Sequence, residues 1–288
     1  GSVLLGGFFA GIAGAYLPAT LDPTVLKVTC LVVGIACGML YVVVPAILKA
    51  CFHVDEMVVT LMLNYALAKV LEFLSTGVFR DQGSGYVCTP TIHEGAMFQR
   101  MASAKMTPFF FVSLVAFAVM FVVMNHSKLG FEITAMGKNV EFADAMGMRV
   151  RRKIIVLMLV SGALAGLAGA GYMLSDQYHY TLGFSGNPGL GWDGMLIALL
   201  GNHSPTGILI AAVFYAALKT GADNINLYSS VPKELVTVIQ GLIILFLAAK
   251  LLDSRFGLRG RLKARFPHRH DGPEGTADVV GADGAKGA

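Results

Sequence analysis

Long apolar runs broken by short polar intervals organise this chain. A hydrocarbon core about 30 Å thick takes about 20 apolar residues of helix, fewer where the helix is broken. By that measure eight spans are predicted, at roughly 3–18, 26–49, 56–79, 108–126, 153–174, 190–203, 206–221 and 233–252. The sixth and seventh are short and flank Asn202-His203-Ser204-Pro205, which reads as a tight re-entry or a broken pair. The expected fold class is therefore all-α: a polytopic membrane protein of about eight transmembrane helices, some short or broken. The pattern ends after Leu252. Residues 253–269 are basic, and 271–288 are mostly Gly, Ala, Asp and Glu, too poor in large apolar groups to bury a core. Residues 1–252 thus form the transmembrane domain, expected to begin inside a longer chain, and 253–288 a cytoplasmic, disordered tail.

Composition agrees with a lipid solvent. Of 288 residues, 55% are hydrophobic and 14% charged. A soluble domain carries roughly 25% charged residues, so this chain cannot cover a water-facing surface in the ordinary way. The net charge of +4 gathers in two places. One is Lys128, Lys138, Arg149, Arg151, Arg152 and Lys153; the other is the tail, from Arg255 to Arg269. Such clusters mark cytoplasmic segments rather than a nucleic-acid footprint, and no nucleic acid is expected as a partner. Loops 49–55, 127–152 and 203–206 then lie inside. Loops 18–25, 80–107, 175–189 and 222–232 lie outside, although Arg80, Arg100 and Lys105 count against that side.

Small residues recur at helix-packing spacing. Gly7 and Gly11, Gly34 and Gly38, and Gly162 and Gly166 are G-x-x-x-G pairs, and Ser161 through Gly171 is nearly all small. Small faces let helix backbones approach where lipid gives little hydrophobic drive, within one chain or between subunits. Cys30, Cys37, Cys51 and Cys88 form no C-x-x-C pair and read as small hydrophobes, with only Cys88 in a polar loop.

The segment from Gly137 to Met148 is a charged island between oily helices. Asn139 is placed to cap a short helix, Glu141 falls in its first turn, and Gly147 can close it. Phe142, Ala145 and Met146 then share a face. Two readings stay open on spacing alone: an amphipathic turn resting on headgroups, or an apolar knob for a cytoplasmic partner.

Polar groups inside spans are costly. Asn64 sits among Leu61, Met62, Leu63 and Tyr65, and Lys69 and Glu72 follow at pairing distance. For Asn64, helix–helix hydrogen bonding and a substrate pathway are both open. The Gly- and Pro-rich stretch 183–194 breaks the chain before a short apolar run. It reads as an outer loop anchored by Trp192 or as a broken helix at a transport site. No G-x-x-x-x-G-K-[ST] loop, H-E-x-x-H pair or G-x-S-x-G elbow is present. No catalytic residue, metal site or cofactor is expected, so the chain is not read as an enzyme.

Four stretches carry a family resemblance. Val54-Asp-Glu-Met-Val-Val-Thr-Leu-Met-Leu-Asn-Tyr65 resembles the "N-E-V-I-x-T-L-M-L-N-Y" stretch of permease subunits of ATP-binding-cassette importers, in the group for nucleosides, simple sugars and branched-chain amino acids. Gly137-x-Asn139-x-x-x-Ala143-x-Ala145-x-Gly147-Met148 is similar to the cytoplasmic "G-x-N-x-x-A-A-x-x-x-G-I" loop, except that Asp144 separates the alanines. Ser161–Gly169 is similar to the helix that follows the loop, and Gly191–Gly201 with Pro205 and Gly207 to the next. The nucleoside and simple-sugar branch is nearest.

This resemblance implies a bacterial inner-membrane permease with its C-terminus in the cytoplasm. It implies a second permease subunit, an ATP-binding cassette subunit that hydrolyses ATP, and an extracytoplasmic substrate-binding protein. Residues Gly137, Asn139, Phe142, Ala143, Ala145, Met146 and Gly147 would form the helix that couples to the ATPase. Asn64, Glu72 and Trp192 are the candidates for the substrate pathway. A nucleoside is the expected cargo, with a simple sugar or a branched-chain amino acid as alternatives. A secondary transporter driven by an ion gradient is the rival from another class. It calls for a carboxylate relay across several helices, for which Glu72 is the serious candidate.

Overall fold

The computed structural model describes residues 1–18, 22–52, 54–81, 83, 85, 87–99, 106–185, 189–228, 238, 241 and 242. The tail, and all of the eighth predicted span but Val238, Gly241 and Leu242, lie outside them. Among the described residues the chain is helical, and its single β-bridge joins Cys88 to Thr181. The helices are α1 (Ser2–Tyr16), α2 (Pro23–Phe52), α3 (Glu56–Thr76), α4 (Phe109–His126), α5 (Lys128–Lys138), α6 (Val140–Ala145), α7 (Val150–Tyr172), α8 (Leu182–Ser185), α9 (Leu190–Leu200) and α10 (Pro205–Tyr228). Four are long and apolar enough to cross a bilayer: α2, α3, α4, and α7 with its π-helical extension to Gln177. With the shorter apolar helices α1, α9 and the first part of α10, the chain is a multi-pass membrane protein. The helix expected to stop at 221 runs on to Tyr228, where an outer loop was expected.

Residues 1–195 form one compact unit and the described residues after 195 belong to a second, so the boundary falls within α9. In the first, α1, α2 and α7 make a seam of glycines. A Cβ on Gly6 would lie 2.7 Å from Gly166 Cα, one on Gly34 would lie 2.6 Å from the Cβ of Ala170, and one on Gly38 would lie 2.7 Å from Gly166 Cα. Carbon atoms normally pack at about 3.5–4.0 Å, so three backbones meet where no side chain fits. The small-residue pairs at 34/38 and 162/166 therefore serve packing within the chain. Gly6, which the pair spacing had not singled out, completes the seam.

Beside the seam lies the main apolar core. Leu4, Phe8, Leu26, Leu71, Met173, Leu174 and Tyr180 are almost wholly buried there. The Phe8 and Tyr180 rings meet edge to face, 4.8 Å between centres. This core continues into a cap built from two stretches read as separate outer loops. Ile92 N–H donates to the Tyr178 carbonyl at 2.9 Å, Phe98 N–H to Leu174 at 3.0 Å, and His93 N–H to Gly14 at 3.0 Å. Tyr180 N–H in turn donates to Thr89 Oγ1 at 2.9 Å. Tyr178, in the left-handed region at φ 57°, ends the π turn and directs the chain across the cap. The bonds tie the end of α1, the end of α7 and the segment before α4 to one side, as alternating spans require. Cys88, expected in a polar loop, is 4% exposed inside this cap. Its neighbours supply the apolar cover that its own sequence context lacks.

In the second unit four residues, Gly201 to Ser204, connect α9 to α10. Asn202 and His203 both have positive φ, at 51° and 54°. Ser204 Oγ accepts from Gly207 N–H at 3.2 Å and starts α10. At eleven residues, α9 rises about 16 Å, roughly half of a bilayer core.

Candidate functional site

The polar island folds as two short helices. Lys128–Lys138 forms α5, within a stretch expected to be a loop, and Ser127 caps it through Oγ, 3.3 Å from Gly130 N–H. The chain then extends at Asn139 (φ −158°) and re-enters a helix as α6. Asn139 Oδ1 accepts from Phe142 N–H at 3.0 Å, a contact worth about 1 kcal/mol to such a cap. Glu141 lies in the first turn, where the dipole favours an anion. Gly147 closes α6 with φ +80°, a backbone that other L-residues adopt only with strain.

Burial sorts the island residues. Ala143 is fully buried and seats α6 against its neighbours, whereas Phe142 is 59% and Met146 64% exposed. Ala145 is also exposed, so Phe142, Ala145 and Met146 stand free and Ala143 acts from beneath. An ion pair between Lys153 of α7 and Glu132 of α5 holds the platform from behind. Glu132 had not been singled out, because its partner lies 21 residues away on another helix. Behind α6 a hollow of about 490 Å³ is lined by Leu129, Glu132, Arg149, Arg152 and Val156 among others. A short rigid helix with two unpacked apolar side chains can transmit a push from a docked partner into α7. Four residues, Met146 to Arg149, join α6 to α7.

The second candidate region lies within the membrane span. A cavity of about 370 Å³ opens between α1, α2, α3, α7 and the first turn of α9. Asn64 and Trp192, 128 positions apart in sequence, both line it. Tyr41 lines it too, with its hydroxyl donating to the Thr60 carbonyl at 3.3 Å. The Asn64 Oδ1 is buried and accepts no hydrogen bond. A buried carbonyl left so costs about 1–3 kcal/mol, and the interhelical bond that would explain an asparagine here is absent among the described residues. Glu72 is not brought to this cavity. It pairs with Lys69, one turn before it on α3, at 2.9 Å, and Lys69 is largely exposed. Among the described residues no cluster of His, Cys, Asp or Glu could hold a metal ion.

Three comparisons bear on what this arrangement belongs to. The chain is 34% identical over 270 residues to the guanosine ABC transporter permease protein NupP of Bacillus subtilis (strain 168), covering 92% of this chain and 73% of that one. It is 30% identical over 230 residues to the nucleoside ABC transporter permease protein NupB of Lactococcus lactis subsp. cremoris, covering 77% and 63%. It is 28% identical over 296 residues to the glucose ABC transporter permease protein TsgB13 of Haloferax volcanii, covering 98% and 75%. No solved structure matches it. Residues 1–248 match the family described as the permease component of the branched-chain amino acid transport system, and the chain belongs to that family.

Proposed function

We propose that this chain is the membrane-spanning subunit of an ATP-driven importer for nucleosides. Two of the relatives are named for guanosine or nucleoside transport. The observation that carries the mechanism is helix α6, capped by Asn139, seated on Ala143, and presenting Phe142 and Met146 to whatever lies beyond the membrane face. An ATP-binding subunit docks there, takes the two side chains into an apolar groove and passes its nucleotide-driven motion through the link from Met146 to Arg149 into α7. Hydrolysis belongs to that subunit. A second permease subunit completes the pathway, an extracytoplasmic binding protein delivers the cargo, and the island and C-terminus face the cytoplasm. The solute passes Asn64 and Trp192. The Lys69–Glu72 pair, neutralised within one helix and apart from the cavity, is a poor relay for an ion gradient.

Replacing both anchors, Phe142→Asp and Met146→Asp, tests this reading. Uptake is expected to fall while the chain still reaches the membrane and the ATPase still hydrolyses. Wild-type uptake by the double variant would remove α6 from the mechanism. Purification of the intact chain without any ATPase subunit would remove the importer reading altogether. The 28% identity to a glucose permease keeps a sugar as second cargo, and uptake assays with nucleosides, hexoses and pentoses side by side decide between them.

A further inference from the structure

The cavity at Asn64 has a chemistry that general passage of solute does not call for. Asn64 is the ninth residue of the 21-residue helix α3. It therefore stands about 12 Å into the span, near the depth where transport sites form. The walls contributed by Leu4, Val42, Leu61 and Met158 are apolar, and among the described residues no Asp, Glu, Lys or Arg side chain lines the cavity. The volume of about 370 Å³ lies within the roughly 300–1,000 Å³ of small-molecule sites.

Two groups give the space its character. Trp192, the one tryptophan of the chain, lines it while 55% exposed. Asn64 lines it with a carboxamide whose Oδ1 has no partner, while the Tyr41 hydroxyl in the same cavity is already committed to Thr60. A carboxamide offers a donor and an acceptor side by side. The edge of a nucleobase offers the complementary pair, and its flat face stacks on an aromatic ring. A sugar presents hydroxyls but no planar face of that kind.

We infer that this cavity is a station for the base of the nucleoside in transit, with Asn64 reading the base edge and Trp192 stacking on the ring. The inference rests on the nucleoside reading above and adds to it. The membrane subunit itself selects the base instead of leaving selection to the delivering protein.

The test uses the complete transporter in membranes and compares uptake of inosine with uptake of purine riboside, which lacks the 6-oxo group. Asn64→Leu is expected to lower inosine uptake roughly 3- to 10-fold, the worth of about one hydrogen bond. Purine riboside uptake should change far less, so the preference collapses. Asn64→Gln should restore part of it. Trp192→Leu should slow both substrates together, and Trp192→Phe should restore them. Rates are normalised to the amount of chain in the membrane. An equal loss on both substrates with Asn64→Leu, or no loss, overturns the base-reading role. Should Asn64→Leu fail to reach the membrane, fluorescence decides: inosine must quench the wild-type transporter more than the Trp192→Phe transporter, and equal quenching overturns the inference. A wild-type transporter that moves another solute but no nucleoside refutes the cargo assignment and this inference together, and the wild-type measurement alone reveals that case.

Discussion

Gly34→Ala is the sharpest probe of the fold. The added Cβ would lie 2.6 Å from the Ala170 Cβ and 3.2 Å from the carbonyl oxygens of both Gly166 and Gly6. Ordinary carbon contact needs about 3.5–4.0 Å, so the helices must part by about 1 Å. Overpacking of this kind costs about 1–3 kcal/mol, offset by the roughly 0.5–1 kcal/mol that alanine gains over glycine within a helix. The net expectation is a loss of about 1–2 kcal/mol, or on the order of 2–8 °C in melting temperature at about 2–4 °C per kcal/mol. The assay is the thermal unfolding of the purified transporter in detergent. Ala170→Gly is weakening by itself, yet combined with Gly34→Ala it removes the closest contact. The double variant should therefore be more stable than the two single losses predict, by roughly 1 kcal/mol. Gly194→Ala is the control, since nothing lies within 4 Å of the added carbon; it should be neutral or slightly stabilising. A Gly34→Ala protein that melts with the wild type, or single losses that simply add in the double variant, would show that α1, α2 and α7 do not meet at this seam.

Three further outcomes are expected. Asn139→Ala should weaken α6 by about 1 kcal/mol and lower uptake per ATP hydrolysed, whereas Asn139→Asp, which keeps an acceptor for Phe142 N–H, should preserve coupling; equal coupling ratios in the two would dismiss the cap. Gly147→Val forces a β-branched residue to φ +80°, at a cost of at least about 1–2 kcal/mol, and should impair coupling more than Gly137→Ala, whose added carbon has open space. Thr89→Val keeps the shape but strips the buried Tyr180 N–H of its acceptor. It should lower the melting temperature by an amount corresponding to about 1–3 kcal/mol, and an unchanged melt would mean the cap contributes nothing there.

The helices were legible because lipid demands long apolar runs, and their ends in α2, α3, α4 and α7 fall close to the predicted bounds. The internal design of α6 was legible too. A cap, an acid in the first turn and a closing glycine are local signals that act within six or seven residues. By contrast α5 was missed, because eleven residues with two glycines carry a weak periodic signal and depend on Ser127 and on the Lys153–Glu132 pair for support. Its partners are distant in sequence, as are those of Cys88, whose burial comes from the meeting of two loops.

Sequence alone determined that this is an all-helical membrane protein of permease type, since backbone satisfaction in lipid leaves few choices and the polar island stands out against them. It also placed Asn139, Glu141 and Gly147 in their roles within α6. Only the tertiary structure decided which glycines meet, that Ala143 faces inward while Phe142 and Met146 face out, and that Asn64 shares a cavity with Trp192 while Glu72 does not. Those facts follow from how α1, α2, α3, α7 and α9 cross. Helix crossing is set by side-chain fit between segments far apart in the chain, which no periodicity within one segment records.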